Sequence, residues 1–402
     1  MPQSEVNIGL VGHVDHGKTT LTKSLSGVWT DRHSEEIRRG ISIRLGYADT
    51  KIYKCEKCTG FDGYTTKDKC PKCGGPAKFQ RKISFVDAPG HETLIATMLS
   101  GSALMDGVIL VIAADETCPQ PQTKEHLLAL KLMNLDKIIV VQNKIDVVSK
   151  EQALKNKQEI EAFLAKVGIK APIIPIAANY DANIDVLICA IQEMVPTPKR
   201  DPSKQAKMFI ARSFDVNKPG AKVKDLKGGV VGGSLMQGEL KKGDEIEIRP
   251  GIKKIKQNQE IWEPIKTKII EIDEGGEVLD RSLPGGLIAV QTLLDPVLTK
   301  SDALSGNVLG KAGTLPPIKS SIECKVHLIE RELIDTAVDL KPGEPLMLSI
   351  GTTVTVGIIQ KQKGDVTSMN LKLPIVAQKG DKFALSKRID MKWRLVGYGE
   401  IL

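Results

Sequence analysis

Continuous apolar runs punctuate the first half of the chain. Val6–Val11, Ile83–Asp87, Gly107–Ala113 (GVILVIA), Lys137–Val141 (KIIVV) and Ala171–Ile176 read as buried strands. Between them lie helical patterns at Lys18–Ser26, Glu92–Leu104, Thr123–Met133, Gln152–Val167 and Asn183–Met194, with Gly27 placed to end the first. Fully apolar strands alternating with amphipathic helices predict a doubly wound, mostly parallel α/β sheet. In such a sheet ligands bind at the carboxyl ends of the strands. The run Pro196-Thr197-Pro198-Lys199-Arg200-Asp201-Pro202 cannot continue a helix and reads as a linker. Beyond it, short alternating runs are separated by glycine turns such as Gly228-Gly229, Gly232-Gly233 and Gly285-Gly286, a pattern of all-β structure. Leu315-Pro316-Pro317 is a second break. The expected organisation is an α/β domain over 1–195, a linker over 196–203, and two β-barrels over 204–315 and 316–402.

Composition adds little and excludes some classes. Of 402 residues, 41% are hydrophobic, so the chain is globular rather than disordered. No apolar run reaches the length of a membrane span, and the N-terminus has no signal-peptide pattern, so a cytoplasmic protein with no membrane partner is expected. The net charge of +8 suits a polyanionic partner, and the aromatic content of 4% argues against a base-stacking platform for single strands.

The chemistry sits at the strand ends. Gly12-His13-Val14-Asp15-His16-Gly17-Lys18-Thr19 fits G-x-x-x-x-G-K-[ST], in the strand–loop–helix context that the phosphate-binding loop requires. Its glycines let backbone N–H groups turn inward, and the helix N-terminus adds positive potential. Lys18 reaches the β- and γ-phosphates, and the Thr19 hydroxyl is a Mg²⁺ ligand. Asn143-Lys144-Ile145-Asp146 is an N-K-x-D guanine motif. A buried Asp146 carboxylate would accept from the guanine ring N–H and amine and would reject adenine by leaving acceptors unpaired. Lys144 would lie along the base, and Asn143 would tie this loop to the phosphate loop. Ala177-Ala178-Asn179 falls where a base-supporting loop belongs. Asp87-Ala88-Pro89-Gly90-His91 is a D-x-x-G switch in which Asp87 holds Mg²⁺ through water and the Gly90 N–H senses the γ-phosphate. His91 stands where such GTPases orient the attacking water. Upstream, Arg39-Gly40-Ile41-Ser42 offers Ser42 as a second hydroxyl on Mg²⁺, in a loop ordered by the γ-phosphate and released after hydrolysis. GTP, GDP and Mg²⁺ are the implied ligands.

Cys55-x₂-Cys58 and Cys70-x₂-Cys73 form two knuckles within an insert over 52–79. Four thiolates at this spacing predict a closed, structural Zn²⁺ site. A reducing cytosol disfavours disulfides. Cys118, Cys189 and Cys324 stand alone and carry no assigned role.

Together the phosphate loop, Arg39-Gly40-Ile41-Ser42, Asp87-Ala88-Pro89-Gly90-His91-Glu92 and Asn143-Lys144-Ile145-Asp146 resemble the translational GTPases related to elongation factor Tu. The cysteine insert, Arg212-Ser213-Phe214-Asp215-Val216-Asn217-Lys218-Pro219-Gly220 and the end Trp393-Arg394-Leu395-Val396-Gly397-Tyr398-Gly399 narrow the resemblance, over essentially the whole chain, to the γ subunits of archaeal translation initiation factor two. The resemblance implies a GTPase that carries methionylated initiator tRNA to the small ribosomal subunit. It also implies an α subunit on the first barrel and a β subunit on the GTP domain. It extends the GTP contacts to Asp15, His16, Gly17 and Thr20, and the catalytic set to Lys18, Gly90 and His91. Val14 and Ile41 match an apolar pair screening His91, while Asp15 and the Gly40 carbonyl match a second Mg²⁺ position. Two positions depart from the family pattern: Ser42 replaces a threonine, and Ala177 replaces the serine of a Ser-Ala pair. Alternatives are an elongation-type carrier of another aminoacyl-tRNA, which the cysteine insert disfavours, and a scaffold holding nucleotide structurally, which intact Lys18, Asp87 and His91 disfavour.

Overall fold

The computed structural model describes residues 3–30, 42, 44–91, 94–218, 220, 222–257, 259–329 and 339–402. The chain divides into two compact units, one ending at Pro198 and the other running from Lys199 to Leu402.

In the first unit the strands are β1 Val6–Val11, β2 Gly46–Cys55, β3 Tyr64–Thr65, β4 Ala77–Asp87, β5 Gly107–Ala113, β6 Ile138–Asn143 and β7 Ile173–Pro175. Among the described residues they form one sheet in the order β3-β2-β4-β1-β5-β6-β7. From β4 to β7 every pairing is parallel. The helices are α1 Lys18–Ser26, α2 Ile95–Ser102, α3 Pro121–Leu132, α4 Lys150–Val167 and α5 Ile184–Met194. Local chemistry sets their ends. The Ser149 side chain accepts from the Gln152 N–H at the start of α4, and Gly168 closes it in the left-handed conformation. Gly27 ends α1 in the same way, its N–H donating to the Lys23 carbonyl at 2.7 Å. The expected start of the second helix at Glu92 lies outside the described residues. β1, β5 and β6 are buried on both faces, which is why they read as unbroken apolar runs.

One edge of this sheet was not legible. β2 is a ten-residue strand that pairs antiparallel to β4, with Gly46 opposite Asp87 and Cys55 opposite Ala77. Its sequence, GYADTKIYKC, mixes polar and apolar positions as a half-buried strand does. Ile83–Asp87 proves to be only the buried half of β4.

Among its described residues the second unit contains strands and short 3-10 turns but no α-helix. β8 Lys207–Phe214, β9 Val230–Gln237, β10 Leu240–Lys241, β11 Glu245–Lys256, β12 Gln259–Glu274, β13 Glu277–Leu279, β14 Arg281–Ser282, β15 Ile288–Thr292 and β16 Val308–Lys311 come first. The order β11-β16-β8-β9-β15-β12 closes into a barrel because β12 pairs back onto β11. A second closed barrel has the order β17-β20-β19-β18-β21-β22, from β17 Ile318–Leu328, β18 Pro345–Ile350, β19 Thr353–Lys363, β20 Val366–Val376, β21 Lys382–Ile389 and β22 Lys392–Ile401. Each encloses its own apolar cluster, the first around Ile210, Val231 and Ile246, the second around Leu346, Phe383 and Val396. The Arg249 guanidinium donates to the Leu315 and Pro316 carbonyls, each at 2.9 Å, and so anchors the segment between the barrels.

Candidate functional site

The phosphate loop leaves β1 at Gly12, whose φ of 146° and approach to the Val111 carbonyl leave no room for a side chain: a Cβ would lie 2.3 Å from that oxygen. At its other end Gly17, at φ 90°, opens α1. Lys18 is buried, and its Nζ donates to the Gly12 and His13 carbonyls at 3.1 and 2.7 Å. The ammonium is thereby folded over its own loop. Asp87, buried at the end of β4, accepts on Oδ2 from the Thr19 hydroxyl at 2.8 Å and from the Thr30 hydroxyl at 2.7 Å. The Ser42 hydroxyl lies 3.3 Å from that of Thr19. Gly90 passes close over the loop, where a Cβ would sit 2.5 Å from Lys18 Nζ. These segments surround a cavity of about 230 Å³ whose wall includes Asp15, Lys18, Thr19, Ser42 and His91. Two hydroxyls and a carboxylate this close are hard oxygen donors of the kind Mg²⁺ takes, so Thr19, Ser42 and Asp87 could hold it. Gly40 and Ile41 lie outside the described residues. Asp15 is exposed at φ 61°.

The base end is organised by Asn143, the last residue of β6. Its Nδ2 donates to the His16 carbonyl at 2.9 Å, and its Oδ1 accepts from the Ala178 N–H at 3.1 Å. Phosphate loop, N-K-x-D turn and the Ala177-Ala178-Asn179 segment thus meet on one buried amide. Lys144 adopts a left-handed conformation with its Nζ 3.2 Å from Asp115 Oδ2. Asp146 has its side chain exposed on the surface of this loop. The reason is local, since it sits in a single 3-10 turn, Ile145–Val147, that follows the left-handed Lys144 beyond the last residue of β6. Ala177 and Ala178 are buried, Asn179 exposed. His16 has its side chain turned into the domain, with Nδ1 3.0 Å from the Val111 carbonyl and Nε2 3.3 Å from Glu116 Oε2. Burial holds its pKa below the ordinary value. Only its backbone faces the loop contact with Asn143.

Several residues at this site had no motif to mark them. His126 on α3 accepts the Gly12 N–H on Nδ1 at 3.2 Å. Asp115 and Glu116, just beyond β5, hold Lys144 and His16 respectively. Thr30 shares Asp87 with Thr19. The one available signal was position: residues 115–116 follow a parallel strand at its carboxyl end.

The four cysteines of the paired knuckles converge. Cys55 and Cys73 Sγ are 3.5 Å apart, Cys58 and Cys70 Sγ 3.8 Å apart, and all four sulfurs lie within 4.8 Å of one another. These separations are too long for disulfides. A tetrahedron of about 2.3 Å zinc–sulfur bonds has edges of about 3.8 Å, so the set fits Zn²⁺. The backbone N–H groups of Cys58 and Lys57 hold the Cys55 thiol down to about 7, while donation of the Cys58 S–H to Cys73 pushes Cys58 up to about 12. Four crowded thiols cannot all ionise without a cation among them, and a metal would remove that conflict. Lys72, between the second pair, bridges Asp62 of the insert to Asp185 of α5, the latter at 2.6 Å.

Residues 3–197 match the model of the elongation factor Tu GTP binding domain, and residues 320–401 match that of initiation factor eIF2 gamma, C terminal. Over 405 residues the chain is 58% identical to translation initiation factor 2 subunit gamma of Methanocaldococcus jannaschii, covering 99% of this chain and 98% of that protein. The chain belongs to the translation initiation factor 2 γ-subunit family. The protein of the same name from Pyrococcus horikoshii is 53% identical, with 99% and 98% covered. Members are translational GTPases, so GTP hydrolysis and binding of GTP and GDP follow from membership. A bacterial selenocysteine-specific elongation factor aligns over all of this chain with a TM-score of 0.76 at 26% identity, and this chain spans 58% of its length. An elongation factor SelB from Methanococcus maripaludis, at 22% identity and TM-score 0.73, shares the fold. No helix among the described residues is long and apolar enough to cross a membrane.

Proposed function

We propose that this GTPase carries methionylated initiator tRNA to the small ribosomal subunit, with hydrolysis of GTP to GDP as its release switch. The observation that carries the switch is the convergence of Ser42, Gly90 and the phosphate loop on one cavity. A γ-phosphate in that cavity would touch both switch segments at once, and only differential contact of this kind couples nucleotide to cargo. Gly17, Lys18, Thr19 and Thr20 would cradle the phosphates, with Asp15 and the His16 backbone completing the loop. Lys18 would exchange its two carbonyl partners for phosphate oxygens. Mg²⁺, held by Thr19 and Ser42 and by Asp87 through water, would neutralise charge on the phosphates. The Gly90 N–H would read the γ-phosphate, and His91 on the cavity wall would orient the attacking water. Asn143, Lys144 and Asp146 would select guanine, supported by Ala177, Ala178 and Asn179. The Cys55, Cys58, Cys70 and Cys73 cluster would hold Zn²⁺ as a structural clasp.

A γ subunit works beside other subunits of its factor. We place the α subunit on the first barrel, where Leu226, Leu293 and Val297 are exposed around the Gly228-Gly229 turn, an apolar display suited to a protein partner. The β subunit would sit on the GTP domain. The test is filter binding of charged and uncharged initiator tRNA to the assembled α–γ complex, with GTP or GDP, across a salt series. The charged form should bind tighter, more so with GTP, and affinity should fall with salt. No preference for the charged form at any salt would defeat the initiator reading, and equal binding of elongator aminoacyl-tRNA would favour an elongation-type carrier.

A further inference from the structure

We propose that His126 is a positioning residue of the phosphate loop, fixing the Gly12 peptide so that the loop and Lys18 stand ready for a nucleotide's phosphates. The inference rests on the assignment of this loop as the phosphate seat.

The β1 ladder ends at Val11, paired with Leu110, and Gly12 turns out of the sheet at φ 146°. Its N–H is buried, and a buried N–H left unpaired is costly. His126, only 1% exposed on α3, supplies the acceptor through Nδ1 at 3.2 Å. The carbonyl of the same Gly12 accepts from Lys18 Nζ. The residue is therefore gripped on one side by the helix and on the other by the lysine that must reach phosphate.

The ring is suited to this task alone. Accepting on Nδ1 places the proton on Nε2 of a neutral imidazole. Burial first, then the charges of Lys18, His13 and His16, push its pKa down to about 3. It stays a neutral acceptor throughout the working range and takes no part in proton transfer. An aliphatic side chain would fill the same space without the bond, so the polar atom is what the site requires.

The experiment measures release of a fluorescent N-methylanthraniloyl-GDP, chased by GDP, from the full chain and three variants. In His126→Asn the amide Oδ1 occupies the place of Nδ1. His126→Gln puts its oxygen one bond farther out, and His126→Leu has no acceptor. H126N should release the probe within about threefold of wild type, whereas H126Q and H126L should release it about tenfold faster. Thermal midpoints measured alongside separate loop positioning from general loosening, which would make all three variants alike. Release at the wild-type rate from H126Q and H126L, or release from H126N as fast as from H126L, overturns the proposal. Should H126L fail to fold, H126N against H126Q decides it. Wild type that binds no probe at all would overturn the phosphate-seat assignment itself and this proposal with it.

Discussion

Replacing Asn143 by aspartate changes one atom at the junction of three loops. The side chain is 3% exposed, so the substitution leaves shape intact while altering its bonding. The Oδ1 bond from the Ala178 N–H survives. The other oxygen now faces the His16 carbonyl at a separation that was 2.9 Å, so a donor–acceptor pair becomes two acceptors. The carboxylate has two escapes. It can take up a proton and donate to His16, which from an unperturbed value of about 3.9 costs about 4 kcal/mol at pH 7. Alternatively, the loops can separate, losing a buried bond and stranding a carbonyl for about 1–3 kcal/mol, with the unpaired buried charge added. Either way GDP affinity at pH 7.5 should fall by roughly 100-fold or more. The proton route becomes cheaper by about 1.4 kcal/mol per pH unit, so affinity relative to wild type should recover as pH drops toward 5.5. Asn143→Ala cannot titrate and should show a loss that does not change with pH. Equilibrium fluorescence titrations with labelled GDP at several pH values make the comparison. Affinity of the aspartate variant within threefold of wild type at pH 7.5, or a pH profile no different from that of the alanine variant, would refute the reasoning.

Four further outcomes are expected. Purified protein should carry one zinc per chain that Cys55→Ser or Cys70→Ser releases while the GTP unit stays folded; metal analysis finding none in wild type would contradict this. His91→Ala should slow ribosome-stimulated hydrolysis with GTP affinity nearly unchanged, whereas Lys18→Ala should weaken binding itself, and equal turnover of H91A and wild type would assign the water to another group. Asp146→Asn should weaken GTP and improve xanthosine triphosphate, by about 2–4 kcal/mol for a lost bidentate contact, read from competition binding. Because burial depresses the pKa of His126, to about 3, and that of His16, the unfolded chain protonates first. Stability is then full above the unfolded value of about 6.5 and falls below it by up to about 1.4 kcal/mol per pH unit for each ring. H126L should flatten that slope by one proton in urea melts between pH 7.5 and 5.

The fold was legible where burial is two-sided. β1, β5 and β6 are covered on both faces, so hydrophobicity alone marks them. β2 escaped because its polar positions follow from having one face toward solvent, and its antiparallel partner supplies what the sequence does not declare. At the site, Lys18, Thr19, Asp87 and Asn143 came from spacing, since phosphate and base chemistry constrain residues close together in sequence. His126 lies 114 positions from Gly12, and nothing in PQTKEHLLALKL distinguishes a loop-holding histidine from a core one.

The long β2–β4 ladder joins two places usually considered apart. At one end Cys55 faces Ala77 beside the thiol cluster; at the other Gly46 faces Asp87 beside the cavity. A slip of one residue would turn every side chain of β2 to the opposite face, and its alternating buried positions Ala48, Thr50 and Ile52 oppose it. Closing four thiols around a cation would staple the far end of this ladder, beyond the register shift between Ile52 and Tyr53. A metal held there would reinforce, from the far end, the register that sets Gly46 opposite Asp87.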